Sequence, residues 1–307
     1  MRPASETDGG RSRVTLPSAS LVPFRRLSLY NSPYPAHDRG HAIDLYPDSN
    51  EGLSPVAGEV LATRTVRTPE KPYAVEHDHL ILVDCDEAWC AETGLDRVVA
   101  RVLHVDPAVE PGDWVAVGDS LGELVRSGFF APWVDNHVHL GFRRPTQNLQ
   151  RASGSLPLSL PVVPTPLAWD GTGTVVEAGE TYVVLDAPAH PTPGEAFAGV
   201  ATDDGCVLDG GFGHYAGGGL LTRGAGAGDP LRPVSFLGHP IGDATGRDVA
   251  WRDVNVLANG ERITGLSLFA ARDPEFGAKL VCPDREFAVG DEVRVTVRDS
   301  DDPIRLR

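Results

Sequence analysis

Short apolar runs that alternate with polar positions, interrupted by turn residues, dominate the first half of the chain. Successive side chains of a strand point to opposite faces, so this period of two predicts half-buried β-strands. The predicted strands are Val56–Val66, Leu80–Asp84, Val98–Val105, Ser120–Val125 and His137–Phe142. Between two of them, Asp86–Asp96 has an acidic start followed by helix-forming residues and predicts one short helical turn. We therefore expect an all-β fold.

A Pro-rich segment separates this region from a second one with strand patterning. Prolines recur from Leu156 to Pro166, which excludes a central strand or helix and predicts an extended linker or a strap along the first domain. Beyond it, Gly173–Val176 and Thr181–Leu185 form a predicted hairpin, and Phe287–Val297 ends in strict alternation. The expected division is a disordered tail (1–22), a first β domain (23–153), a linker (154–166) and a β-rich domain of unknown role (167–307).

Charge and composition narrow the possible partners. The 307 residues carry a formal net charge of −16, which disfavours nucleic acid and anionic membranes as partners and is typical of adaptation to a salt-rich, halophilic cytosol. No stretch approaches the roughly 20 apolar residues of a membrane span, and the polar N-terminus does not resemble a signal peptide. The 4 cysteines have no Cys-x-x-Cys spacing. We expect a cytoplasmic protein, whose oligomeric state the sequence does not specify.

Histidines supply the candidate chemistry. His137 and His139 are two apart on a predicted strand, so both rings project from the same face. Upstream, His41, Asp44 and His104 offer further imidazole and carboxylate groups. Three such ligands with one open position are what a hydrolytic zinc centre requires, so Zn²⁺ is the expected cofactor.

The order of these motifs resembles that of the lysostaphin/LytM-type zinc metalloendopeptidases over about residues 37–143. Gly40-His41-Ala42-Ile43-Asp44-Leu45 is similar to the first metal motif of the family, and Ser54–Val60 is similar to its Ala-Gly turn and strand. Val102-Leu103-His104-Val105 resembles the strand that carries an isolated catalytic His. Val109–Gly122 matches its Gly-Asp signature, and His137-Val138-His139 completes the pattern.

The resemblance implies an antiparallel β-sandwich that hydrolyses a peptide bond or cross-link. It implies that His41, Asp44 and His139 bind the metal, while His104 and His137 orient water and stabilise the oxyanion. The family places its first His four residues before the Asp, whereas His41 and Asp44 are three apart and would face opposite sides of a regular strand. Either a β-bulge re-aims His41, or the site is altered, with His37 as a weaker substitute.

Two other function classes stay open. One is a catalytically inactive LytM-like module that binds a peptide or protein partner in the same groove. The other is a structural carrier-like β-sandwich, against which the absence of a Met-Lys-Met-type hairpin argues. A second His-x-His, at His77-Asp78-His79, is expected to be exposed and structural. The Gly-rich stretch Gly210–Gly219 lacks the Lys-Ser/Thr of a phosphate-binding loop and predicts a β-turn or a substrate-facing loop.

Overall fold

The computed structural model describes residues 13–34, 37, 39–222 and 230–306. These residues form two β-rich domains, so the predicted all-β class is confirmed. One hydrophobic core lies within the N-terminal half and a second within the C-terminal half. No helix among the described residues is long and apolar enough to cross a membrane.

The first domain contains twelve of the described strands, a 3-10 helix at Ser18–Leu21 and one α-helix, α1 (Glu87–Thr93). The strands are β1 (Val14–Thr15), β2 (Arg26–Ser28), β3 (Ala42–Tyr46), β4 (Glu51–Leu53), β5 (Gly58–Arg67), β6 (His77–Cys85), β7 (Val99–Leu103), β8 (Val105–Pro107), β9 (Trp114–Val115), β10 (Ser120–Leu124), β11 (Val138–Arg143) and β12 (Leu158–Ser159).

The second domain consists of strands and turns in the part of it that the structure describes. Its strands are β13 (Thr165–Leu167), β14 (Thr172–Ala178), β15 (Tyr182–Leu185), β16 (Ala198–Val200), β17 (Val207–Phe212), β18 (Gly217–Leu221), β19 (Arg232–Phe236), β20 (His239–Thr245), β21 (Asp248–Trp251), β22 (Val254–Ala258), β23 (Glu261–Ile263), β24 (Gly265–Leu268), β25 (Ala270–Ala271), β26 (Lys279–Val281) and β27 (Glu292–Asp299). The predicted hairpin is β14–β15, and the Gly-rich stretch forms the β17–β18 hairpin.

One large sheet carries the candidate chemistry and joins the two domains. Its order among the described strands is β13-β16-β25-β2-β3-β11-β7-β6-β5-β9. From β2 to β9 in this sheet order, each strand runs antiparallel to its neighbours. On its other side β2 pairs with β25 of the second domain, with Arg26 opposite Ala271. On β7, Ala100 and Val102 point into the main core, so Arg101 projects from the opposite face.

The short helical turn predicted after β6 is confirmed as α1. The side chain of Asp86 caps its N-terminus by accepting a hydrogen bond from the Trp89 backbone N–H at 2.6 Å. Gly94 ends it in the left-handed conformation, with φ of 81°. The helix buries Trp89 and Cys90 in the first core.

The Pro-rich segment is a strap rather than a free linker along part of its length. Leu156 and Leu158 are buried in the first core, and β12 pairs with β1 in parallel. The same pairing corrects the expected tail, because Val14 and Leu16 are fully buried instead of disordered. Their apolar side chains belong to the same hydrophobic core as Leu158 of β12. Residues 1–12 of the expected tail lie outside the described residues.

Candidate functional site

Three ligand-type atoms meet on the outer face of the large sheet. His139 on β11 stands directly opposite Asp44 on β3, and its Nδ1 lies 3.0 Å from Asp44 Oδ1. His37, which precedes β3, brings its Nε2 to 3.4 Å from the same oxygen and 3.1 Å from His139 Nδ1. This is the one cluster among the described residues in which three such groups are close enough to hold a metal ion.

The dimensions of the cluster fit zinc. With bonds of about 2.0–2.1 Å, the ligand atoms of a tetrahedral zinc site lie about 3.3 Å apart, which is close to all three separations. His37 Nδ1 donates to the Leu29 carbonyl at 2.8 Å, so in the neutral ring the lone pair lies on Nε2. This backbone contact fixes the ring as outer-shell partners of metal ligands do.

Asp44 and His139 have the charge states that zinc ligands need, whereas His37 favours its protonated form. Burial opposes ionisation of Asp44, but the neighbouring His37 and His137 rings and the hydrogen bonds with His139 and His37 hold its pKa well below 3.8. Burial lowers the pKa of His139 to about 3, so its ring is neutral at pH 7. Burial also opposes protonation of His37, yet Asp44 raises the pKa of that ring above 6.5. A cation in the triangle would compete with this proton.

The structure corrects the expected ligand set by placing His37, and not His41, in the cluster. Ala42 to Leu45 pair with β11 in unbroken register, so the ladder contains no bulge that would turn His41 towards Asp44. Gly40 stands four residues before Asp44 and adopts a φ of 57°, in the left-handed region that favours glycine. The ligand therefore comes from the segment before this turn.

His137 lies beside the cluster without joining it, where sequence reasoning expected a catalytic ring. It shares the face of β11 with His139, and its Nε2 is 3.4 Å from Asp44 Oδ1. Its Nδ1 donates to the backbone carbonyl of Asp135 at 2.8 Å, which leaves Nε2 free of a proton. Burial lowers the pKa of His137 to about 4, so the ring is neutral at pH 7.

His104 reaches the same space through an unusual backbone conformation. It lies between β7 and β8 with a φ of 71°. A non-glycine residue adopts such a φ at a cost in energy, so the surrounding contacts must hold it there. Here Asp78 accepts both the His104 backbone N–H at 3.0 Å and the ring Nδ1 proton at 2.5 Å. The His104 carbonyl accepts a hydrogen bond from Val125 at 2.9 Å. The His104 and His137 rings are in edge contact, with centroids 5.0 Å apart.

These histidines line one cavity of about 260 Å³. Phe130 contacts His137 and His104, with ring centroids 4.6 and 5.1 Å away, and forms part of an aromatic wall with Tyr34 and Phe129. Arg101 and three residues of a following loop, Gln150, Ala152 and Ser153, also line the cavity. The cavity thus combines an apolar wall with a small number of convergent polar groups, as ligand sites commonly do.

Comparison with known families matches most of the chain to the two domains of one family. Residues 15–160 match the N-terminal domain of a family described as a domain of unknown function, DUF8155, and residues 165–298 match its C-terminal domain. The chain belongs to the DUF8155 family. Neither description names an activity. No curated protein and no solved structure matches the chain.

The DUF8155 C-terminal domain holds the segment that delivers His37. Asp209 on β17 is fully buried and accepts hydrogen bonds from Ser28 Oγ and the Leu29 N–H, each at 2.6 Å. Leu29 in turn accepts the His37 ring proton. A short chain of hydrogen bonds therefore connects the second domain to a candidate ligand.

The C-terminal domain also braces the segment before His137. Lys279 on β26 lies 3.2 Å from Asp135, and Arg26 on β2 lies 2.6 Å from the same carboxylate. Burial opposes ionisation of Asp135, but Lys279 and Arg26 lower its pKa to about 2. The Asp135 carbonyl is the group that orients His137.

Sequence reasoning missed two residues of this DUF8155 site and ranked a third too low. Asp78 was expected to be exposed within a structural His-x-His, but it is fully buried beneath His104. Arg101 is the lone charge in an apolar strand, and that isolation was an available signal. His37 carried no periodic signal, because it precedes the strand in a turn-rich segment.

Proposed function

We propose that this chain is a zinc-dependent hydrolase that acts on a peptide-like bond, with His37, Asp44 and His139 as the metal ligands. The triangle of three ligand atoms, each about one tetrahedral edge from the others, carries the proposal. When bound, zinc supplies Lewis-acid chemistry, because it polarises a carbonyl oxygen and lowers the pKa of water. The motif resemblance supports a peptide or cross-link as substrate.

His104 is the general base in this proposal. His104 Nδ1–H donates to the Asp78 carboxylate, so Nε2 presents a bare lone pair to the cavity. The buried carboxylate also stabilises the imidazolium that forms when Nε2 accepts a proton from the attacking water. The same proton is then available at Nε2 for the leaving amine.

His137 has a different part in this proposal. Its pKa of about 4 keeps it neutral, so Nε2 accepts a hydrogen bond and orients the water without removing its proton. The aromatic wall at Phe130 limits the access of bulk water to both rings. The exclusion of water strengthens the electrostatic interactions in the site.

A matched pair of variants tests the metal site. Wild-type protein supplied with zinc and dialysed is expected to retain about one equivalent, measured by elemental analysis. His37→Ala removes a ligand and is expected to weaken binding by more than the roughly 10–100-fold that loss of an outer-shell partner costs. His41→Ala, four positions away and outside the cluster, is the control and is expected to keep full occupancy.

The outcomes separate the function classes. Zinc loss on His41→Ala with retention on His37→Ala would refute the assigned ligand set. If the wild type retains far less than one equivalent, the hydrolase proposal fails, and a binding module that uses the same cavity replaces it. If zinc binds, His104→Ala is expected to retain the metal and lose any peptide hydrolysis.

A further inference from the structure

A buried arginine lines the cavity that contains the His cluster. Arg101 is 4% exposed, and its Nε donates to the Leu149 carbonyl at 2.7 Å. Its two terminal nitrogens have no hydrogen bond or ion pair with any of the described residues, yet the side chain lines the cavity. A buried guanidinium normally pairs with an anion, since an unpaired buried charge is costly.

The sheet register aims this arginine into the candidate active site. Leu103 stands directly opposite His139, and Arg101 stands opposite Gly141 on the same pair of strands. Paired residues share a face of the sheet, so Arg101 projects from the face that carries His139 and Asp44. It lies two residues, or about 7 Å along the strand, from the level of His139. That distance is about the length of one or two residues of a bound peptide.

The charge of Arg101 persists in this setting. Burial and the neighbouring Arg143 lower the pKa of Arg101 to about 10, which still leaves it protonated at pH 7. Arg143 differs in its role, because its terminal nitrogens donate to the backbone carbonyls of Asn148 and Arg151. Arg143 thus holds the loop that follows β11, whereas Arg101 lines the cavity and donates to that loop only through Nε.

We propose that Arg101 binds a carboxylate of the substrate next to the scissile bond, which makes this cavity specific for acidic peptide ends or acidic side chains. The planar guanidinium offers two parallel N–H groups that match a carboxylate. The volume of about 260 Å³ is just below the range of about 300–1,000 Å³ typical of small-molecule sites, so it accommodates one or two residues. The peptide part of this inference rests on the proposed function, whereas the preference for an anion does not.

Binding of three small probes to the full-length protein tests the inference. The probes are N-acetyl-Ala-Ala, its C-terminal carboxamide, and N-acetyl-Ala-Asp carboxamide, each titrated by calorimetry into zinc-loaded and into chelator-treated protein. At least one of the two carboxylates is expected to bind about tenfold or more tightly than the uncharged carboxamide. The first carboxylate reports a terminal carboxyl group, and the second reports an acidic side chain.

Variants assign the preference to Arg101. Arg101→Gln is expected to reduce the carboxylate preference to near parity while zinc content is unchanged. Arg101→Lys keeps the charge but lacks the planar fork, so it is expected to reduce the preference in part, and it serves if the Gln variant does not fold. Arg97→Gln, at an exposed arginine that is paired with Asp84 and lies outside the cavity lining, is the control and is expected to keep the preference.

Two results would overturn the inference. One is equal or undetectable binding of all three probes by the wild type, and the other is an undiminished preference in Arg101→Gln. Zinc binding without a carboxylate preference leaves the hydrolase proposal standing and removes the role of Arg101. An Arg101-dependent preference without zinc binding supports the role of Arg101 and removes the hydrolase proposal. The two failures are therefore distinguishable.

Discussion

Replacing Asp78 with Asn probes the support of the candidate base without touching the metal ligands. Four donors converge on this buried carboxylate: the His104 ring at 2.5 Å, the His104 backbone N–H at 3.0 Å, and Ser127 Oγ and the His79 N–H at 2.6 Å each. An Asn side chain keeps one acceptor oxygen and presents an N–H₂ group in place of the other. If the oxygen stays with the backbone groups, the new donor faces His104 Nδ1. The His104 proton then moves to Nε2, and the base is lost.

The pKa of Asp78 gives the magnitude. Burial alone would raise it, but the interaction with His104 and the hydrogen bonds from His104, Ser127 and His79 lower it from 3.8 to about 2. This difference is worth about 2 kcal/mol of folding free energy at pH 7. Because the folded-state pKa is depressed, the contribution is present above pH 3.8 and is lost as the pH falls through 2. At pH 3, about half of it remains.

Urea denaturation of wild type and Asp78→Asn at pH 7 and pH 3 measures this loss. The difference in unfolding free energy is expected to be about 2 kcal/mol at pH 7 and to shrink towards half at pH 3. Nitrogen NMR of the His104 ring is expected to show the proton on Nδ1 in the wild type and on Nε2 in the variant. Asp84→Asn, at the other end of β6 and paired with the exposed Arg97, is the control and should lose less. A pH-independent difference, or an unchanged His104 tautomer, would refute the reasoning.

Two further predictions concern the contacts from the second domain. Asp135→Asn leaves Arg26 and Lys279 without their shared carboxylate, whereas Lys279→Met leaves Asp135 paired with Arg26. Asp135→Asn is therefore expected to lower the free energy of unfolding in urea by about 2 kcal/mol more than Lys279→Met does. Equal losses in the two variants would contradict this. Burial raises the pKa of Asp209 to about 7, so the stability that its protonated form contributes is complete below pH 3.8 and is lost as the pH rises through 7. Asp209→Asn should therefore gain about 2 kcal/mol on the wild type between pH 5 and pH 8, and parallel pH profiles of the melting temperature would exclude this cause.

The strands were predictable because one face of each is buried. The period-two patterns from Val56 to Phe142 correspond to β5, β6, β7, β10 and β11 within a few residues at each end. The predicted strand Val98–Val105 differs in one respect, since His104 interrupts it with a positive φ. That break depends on hydrogen bonds that His104 donates to Asp78, a residue far away in the sequence, so no local pattern indicates it. The pairing of β2 with β25 across the two domains is equally non-local.

The site was predictable where its residues lie on regular strands. His139 and Asp44 face each other across the β3–β11 ladder, and a period of two places His137 on the same side as His139. The third position failed because motif spacing assumed that the ligand comes from the same strand. His37 instead comes from the turn-rich segment before β3, whose path depends on tertiary contacts.

Those contacts also give the second domain a physical relation to the site. Asp44 and His139 belong to strands of the first domain, but Ser28 and Leu29 are held by Asp209, and β2 is paired on one side with β25. A loosely held side chain contributes little to the affinity for a metal ion, because ordering its ring at the moment of binding costs free energy. The hydrogen bonds that link Asp209 to Leu29 and Leu29 to His37 order the His37 ring before any metal binds. The ligand triangle is therefore a property of both domains together, although all three of its atoms come from the first.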